Sequence, residues 1–357
     1  MIKTIINMLK PSIKPFIIFK AYNFDGLNHG LMRNIIFMGL VLLSMAGCSE
    51  DFDVTREWKD VPIVYGILSA QDSIHYIRLE KAFLDPKRNA IEVAQIADSL
   101  YYANATVRLQ DLSDNRMYTL RRIDGNEEGK PREEGVFAQS PNWLYAIEQS
   151  AINIRPGRQY RLIIERGDDK PVVEAQTRIV PEFVIVQPRP NLLTRIIYTT
   201  LYRISWEAHQ DIAAYDVWVD FKYREVPKGQ SGNGDLKVVS WQVGSRITGG
   251  VTTFNGELFH RMLAERIAVD PNVDRFVETM DFRVIGAGRE FYDYIRVFIA
   301  NAGITGTQEI PRYTNLSEGF GIFSSRSRMV NAGVRPNPET IELIRNGEYT
   351  KNLGFKG

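Results

Sequence analysis

The chain has 357 residues, with 44 Lys and Arg against 43 Asp and Glu, 44% hydrophobic residues and a single Cys. This much apolar content excludes a disordered chain, and the length suits roughly two domains, each with its own core. The charge balance argues against a generic nucleic-acid binder, and the lone cysteine excludes an internal disulfide or a multi-cysteine zinc site.

Residues 35–46 form a short apolar run, too short to span a bilayer comfortably. Met32-Arg33-Asn34 precedes it as a positive region, and the small residues Ala46 and Gly47 follow it, just before Cys48. These are the parts of a signal peptide. Met45-Ala46-Gly47-Cys48 resembles the lipobox of a bacterial lipoprotein, with Met45 where such signals usually carry Leu. The resemblance implies cleavage before Cys48 and lipid on its thiol, which makes the cysteine a tether rather than a nucleophile. One acyl chain holds a protein only marginally, at about 0.8 kcal/mol per buried methylene; the diacylglyceryl plus N-acyl group implied here makes a stable anchor. The signal starts at Met32, so 1–47 is read as a signal region with an over-extended start. Residues 48–59 are then an acidic linker. Its Glu50, Asp51 and Asp53 are either solvated charges or, by resemblance to lipoproteins of the Bacteroidota, a signal for export to the cell surface.

Short β-prone runs broken by turn clusters follow, which favours sandwiches over helical folds. Residues 61–68 and 74–79 read as two strands, and 106–112 with 117–123 as a hairpin across Ser113-Asp114-Asn115. Residues 124–135 read as an exposed loop, and 144–147 as a short run. After the Pro156-Gly157 turn, Tyr160, Leu162 and Ile164 share one face, and 172–180 closes a hairpin. This ending resembles the last strands of an immunoglobulin-like or fibronectin-like sandwich, and Pro181 is its expected boundary, giving a domain over 60–181.

The second half, 182–330, is expected to be a β-rich domain. Trp206 closes one strand and Tyr215-x-Val217 opens the next, which again resembles fibronectin-like modules. A helix near 256–267 is expected, capped by Asn255, with Leu258, Phe259, Met262, Leu263 and Ile267 at helical spacing. His260 falls off that stripe and is expected in solvent. Met280, Phe282 and Val284 predict one long strand, and Ile295, Val297 and Ile299 another. Asn337-Pro338 starts a short helix in a tail over 331–357. The expected fold class is mainly β: two β-sandwich domains of immunoglobulin or fibronectin type with one or two short helices.

Three segments, residues 60–68 with 72–77, 78–83, and 313–323, together with the lipobox, resemble a Bacteroidota lipoprotein family of unknown function (domain of unknown function 4249) over roughly 50–330. The family has no established catalytic residues to carry over. The resemblance implies a lipid-anchored outer-membrane protein, possible at the cell surface, serving a TonB-dependent transport receptor as a binding or accessory module. Within it, Gly319-Phe320-Gly321-Ile322 reads either as a tightly packed core strand or as a flat binding surface over the glycines.

No phosphate loop, His-Glu-x-x-His or nucleophile elbow occurs, so no catalytic residue, metal site or cofactor is assigned. Trp143 and Trp241 lie beside loops and are the candidate platforms for a glycan or peptide ligand; core packing is the alternative. Two other functions stay open: a cell-envelope glycan hydrolase with an unmarked carboxylate pair, and a structural or adhesion protein.

Overall fold

Alternation of buried and solvent-facing side chains makes most of this chain β. The computed structural model describes residues 61–82, 89–167, 170–230, 232, 234–300 and 313–357. The first half holds β1 (Val61–Leu68), β2 (Ile74–Ala82), α1 (Ala90–Ala94), α2 (Ala97–Leu100), β3 (Thr106–Asp111), β4 (Met117–Thr119), β5 (Arg121–Asp124), β6 (Trp143–Glu148), α3 (Gln149–Ile152), β7 (Gln159–Glu165) and β8 (Val173–Arg178). The second holds β9 (Ile185–Gln187), β10 (Leu201–Trp206), β11 (Ala214–Pro227), β12 (Asp235–Ile247), β13 (Val251–Asn255), α4 (Gly256–Arg266), β14 (Val273–Ala287), α5 (Arg289–Ala300), β15 (Phe320–Val334), α6 (Pro338–Asn346) and β16 (Phe355–Lys356).

One long sheet runs β12-β11-β14-β15-β1-β2-β6-β5, with β16 added beside β14. Two smaller sheets, β4-β3-β7-β8 and β13-β10-β9, complete two sandwich layers. In the first, Val64, Ile77 and Leu79 of the long sheet meet Val107, Leu109, Tyr160, Leu162 and Ile164. In the second, Val217, Val219, Phe221, Phe282 and Val284 meet Ile204, Trp206 and Phe254, with Phe259 and Leu263 of α4. The fold is mainly β and built from sandwiches, as the alternation predicts.

Strand β15 joins the two halves. Its first residues pair in parallel with β1, from Ile63↔Phe320 to Leu68↔Ser325. Its remainder pairs antiparallel with β14, from Ala287↔Arg326 to Met280↔Val334. The Asn315 amide caps the strand on the way in, donating to the Phe323 carbonyl at 2.7 Å and accepting from its N–H at 3.0 Å. Leu316 and Phe323 therefore belong to the first core although they lie far beyond Pro181. Residues 331–357 supply Val334, Ile344, Leu353 and Phe355 to the second core rather than trailing from it.

The glycine segment is a packed strand. Gly319 and Gly321 adopt φ of +92° and +109°, and a Cβ on either would overlap the Pro62 or Val64 carbonyl. The glycines let β15 approach β1; they do not leave a flat open surface.

Four expectations change. The run around Ile295, Val297 and Ile299 is helix α5, not a strand. Phe291, Tyr294, Ile295 and Phe298 also fit a helical spacing, and a short apolar run supports either period until tertiary contacts choose. The α-helices number six among the described residues, not one or two, though most are short. The expected strand over 117–123 splits, with β4 on one sheet and β5 on another. His260 is fully buried instead of solvated: its Nε2 lies 3.1 Å from the Ile196 carbonyl and its ring meets Tyr198 edge-on.

Two buried imidazoles make a pH prediction. Burial lowers the pKa of His260 from its usual value, against the opposing Ile196 carbonyl. Burial likewise lowers that of His75, against Gln149 and the nearby Asp72 charge. Below the ordinary value the unfolded chain binds these protons and the folded chain does not, so stability falls as pH drops. The unfolding free energy from urea titrations should decline from pH 7 to pH 5.5, by at most about 1.4 kcal/mol per pH unit for each histidine. A flatter profile for His260→Gln would confirm the source; an unchanged profile would refute it.

Candidate functional site

A polar cleft follows from the way β15 crosses between the two cores. Ser325 hydroxyl donates to the Arg178 carbonyl at 2.6 Å and accepts from the Val180 N–H at 3.1 Å, tying the end of β8 to β15. Gly288 N–H donates to the Ser325 carbonyl at 2.9 Å, and Ala213 N–H to the Ala287 carbonyl at 2.9 Å. These bonds bring the ends of β7 and β8, the turn before β11 and the start of α5 around a space of about 380 Å³.

Gln159, Gln176, Gln210, Arg178, Asp211 and Arg289 line this space. Gln159 stands opposite Arg178 in the β7–β8 ladder. Gln176 and Arg178 take the solvent-facing positions of β8, on either side of the buried Thr177. Arg178 is aimed by a 2.7 Å bond from Nη1 to the Gly157 carbonyl. Asp211 is held by its own N–H, which donates to His209 Nδ1 at 3.1 Å.

The floor is fixed by Glu290. Its Oε2 accepts from the Thr177 hydroxyl at 3.1 Å and from the Ser324 hydroxyl at 2.9 Å, and Ser324 in turn accepts from the Phe291 N–H at 3.2 Å. Both hydroxyl residues are buried. The start of α5 is thereby pinned to both sheets of the first sandwich. The cleft offers three carboxamides, each a donor and an acceptor, and two guanidinium groups suited to bidentate carboxylate contacts. No aromatic ring lines it, so it lacks the stacking platform that sugar rings favour.

The sequence candidates do not converge here. Trp143 opens β6 and is half-buried, with the Arg122 guanidinium 4.5 Å from its ring centroid. Trp241 points inward from β12 and packs edge-on against Phe254, with centroids 4.9 Å apart. Their strands stand first and seventh along the long sheet, with five strands between them. They form no shared platform. Cys48, Met45, Ala46, Gly47, Glu50, Asp51 and Asp53 lie outside the described residues.

Sequence reading missed the cleft because its lining comes from four separated segments of ordinary polar residues. The one available signal was the pair Gln176 and Arg178, on the solvent face of a strand that alternates buried and exposed residues. Among the described residues, no group of three or more His, Cys, Asp or Glu is placed to hold a metal ion. No described helix is long and apolar enough to cross a membrane.

A family described as "Domain of unknown function (DUF4249)" matches residues 50–330. No curated protein matches the chain. Among solved structures, the FN1–FN3 domains of chicken CNTN1 share 10% identity at a TM-score of 0.17, covering 77% of this chain and 65% of that one. The chicken interferon gamma receptor alpha chain shares 9% identity at 0.16, covering 64% and 89%. The IG1+IG2 fragment of DIP-gamma shares 8% at 0.16, covering 75% and 98%.

Proposed function

The chain belongs to the DUF4249 family, a domain of unknown function, and from that premise we propose that it is a non-catalytic binding module. It is held at the outer membrane by lipid on Cys48 and serves a TonB-dependent transport barrel. The observation that carries the binding part is the seam cleft, whose amides and guanidinium groups are arranged without a metal cluster or a stacking ring. Clefts between packed units are common ligand sites. A peptide fits this chemistry best, with its backbone amides on Gln159, Gln176 and Gln210 and a carboxylate on Arg178 and Arg289. The lipid anchor is supported by the lipobox, in which the only cysteine occupies the modified position.

The test is recovery from the native host. A C-terminally tagged protein, extracted gently from envelopes, is expected to bring a stoichiometric outer-membrane barrel with it. Cys48→Ala should move the protein to the soluble fraction. Arg178→Ala with Arg289→Ala should weaken peptide binding roughly tenfold or more, since each removes a charged hydrogen bond, while the barrel still co-purifies. Recovery alone, with no peptide bound, would overturn the reading. Glycan turnover abolished by an Asp211 substitution would replace it with hydrolysis.

A further inference from the structure

We propose that Tyr65, Phe298, Ile299 and Phe320 form the surface on which the protein rests against the lipid bilayer, an inference that depends on Cys48 carrying the lipid. Helix α5 lies across β15 and β1. Its Phe291 N–H meets the Ser324 hydroxyl at 3.2 Å, and the Tyr294 and Tyr65 hydroxyls are 3.3 Å apart, with their rings edge-on at 6.4 Å. Ser324 is the partner of Ile67, and Ile322 the partner of Tyr65. The helix therefore runs from the Leu68 end of β1 toward its Val61 end.

From Tyr294 to Phe298 the helix rises roughly 6 Å. From Tyr65 to Ile63 the strand spans roughly 6.6 Å. Phe298 thus comes level with Ile63 and with Phe320, its partner across the ladder. At that end Phe298 is 51% exposed, Ile299 45%, Tyr65 41% and Phe320 37%. Isolated apolar residues on a surface need no explanation, but a cluster of four marks an interaction site.

Two observations select lipid as the occupant. Aromatic rings with hydroxyl tips, beside cations, suit the boundary between acyl chains and headgroups. Here Tyr65 and Tyr294 supply the rings, and Arg296, 64% exposed on the same helix and paired with Asp293 at 3.4 Å, supplies the cation. The second is the tether. Residues 49–60 separate Cys48 from β1, a chain that extends to roughly 45 Å at most. It enters β1 at Val61, the end where the cluster lies. A short tether keeps the local lipid concentration high, so a surface of weak intrinsic affinity stays docked.

The experiment uses the lipidated full protein. Ile299→Cys introduces the one reactive thiol, because Cys48 is acylated, and takes an environment-sensitive NBD label. Leu236→Cys, on β12 at the far edge of the long sheet, is the control. Phe298→Cys serves if the first variant does not fold. In vesicles of phosphatidylethanolamine and phosphatidylglycerol, the label near 299 should shift to the blue, brighten about twofold or more and resist dithionite, while that at 236 stays water-like. A protein that floats with the vesicles while both labels stay water-like overturns the docking surface and leaves the anchor standing. A protein that does not float overturns both. Protection that appears only when a co-purified envelope protein is added assigns the surface to that protein and overturns the lipid assignment.

Discussion

Gly321→Ala is expected to destabilise the protein by about 3 kcal/mol or more, a large share of the total for a folded domain. Two costs combine. The backbone at this position has φ of +109°, a region that side-chain-bearing residues reach only at a cost of about 1–3 kcal/mol. The added methyl would also overlap the carbonyl of Val64, the residue it pairs with in β1. Relief requires β15 to draw back from β1, and that ladder is the link between the two sandwich cores. Gly333→Ala is the matched control: φ is +71°, but nothing lies within 4 Å of the new Cβ. It should cost only about 1 kcal/mol. Urea unfolding of both variants decides the matter. Equal midpoints would mean that the close approach of β15 to β1 contributes nothing to stability.

Arg275→Ala is the second large effect, at about 3–5 kcal/mol. This guanidinium is only 3% exposed and faces three acceptors. Nε donates to Glu225 at 2.9 Å, Nη2 to the Ala268 carbonyl at 2.9 Å, and Nη1 to the Leu353 carbonyl. Its backbone N–H also donates to the Gly354 carbonyl at 2.9 Å. Truncation leaves two carbonyls and a mostly buried carboxylate without their donor. Arg275→Lys supplies a single point of contact in place of a fork and should fall between the two. The C-terminal stretch should loosen first, so proteolysis near 351–357 is expected to accelerate before global unfolding. Wild-type cleavage rates in Arg275→Ala would overturn the assignment of this residue as the clamp on that stretch.

The matched family region ends at residue 330, within β15. Yet Val334, Ile344, Leu353 and Phe355 are buried in the second core, and β16 pairs with β14. Any shortened version ending near 330 would expose this apolar surface and cut the joining strand. Binding experiments therefore call for the chain through its last residue.

Much of the local structure was legible before any contact was known. Tyr160, Leu162 and Ile164 repeat at two residues, and that period alone places them on the buried face of β7. Asn255 and Asn337 are helix caps by type and position, and both accept a backbone N–H, from Glu257 and Thr340.

What the sequence determined by itself, then, is the class of fold, the hairpins and the caps, because each depends on neighbours a few residues away. Tertiary structure decided the rest. Nothing local pairs 320–325 with β1, more than 250 residues earlier in the chain. Nothing local turns Ile295 and Val297 into helix, or buries His260 against Ile196, because β-propensity and face assignment yield to the packing that surrounds them. The cleft is the furthest from the sequence. Its glutamines and arginines look like any solvated side chains until one strand, shared between two cores, brings their four segments together.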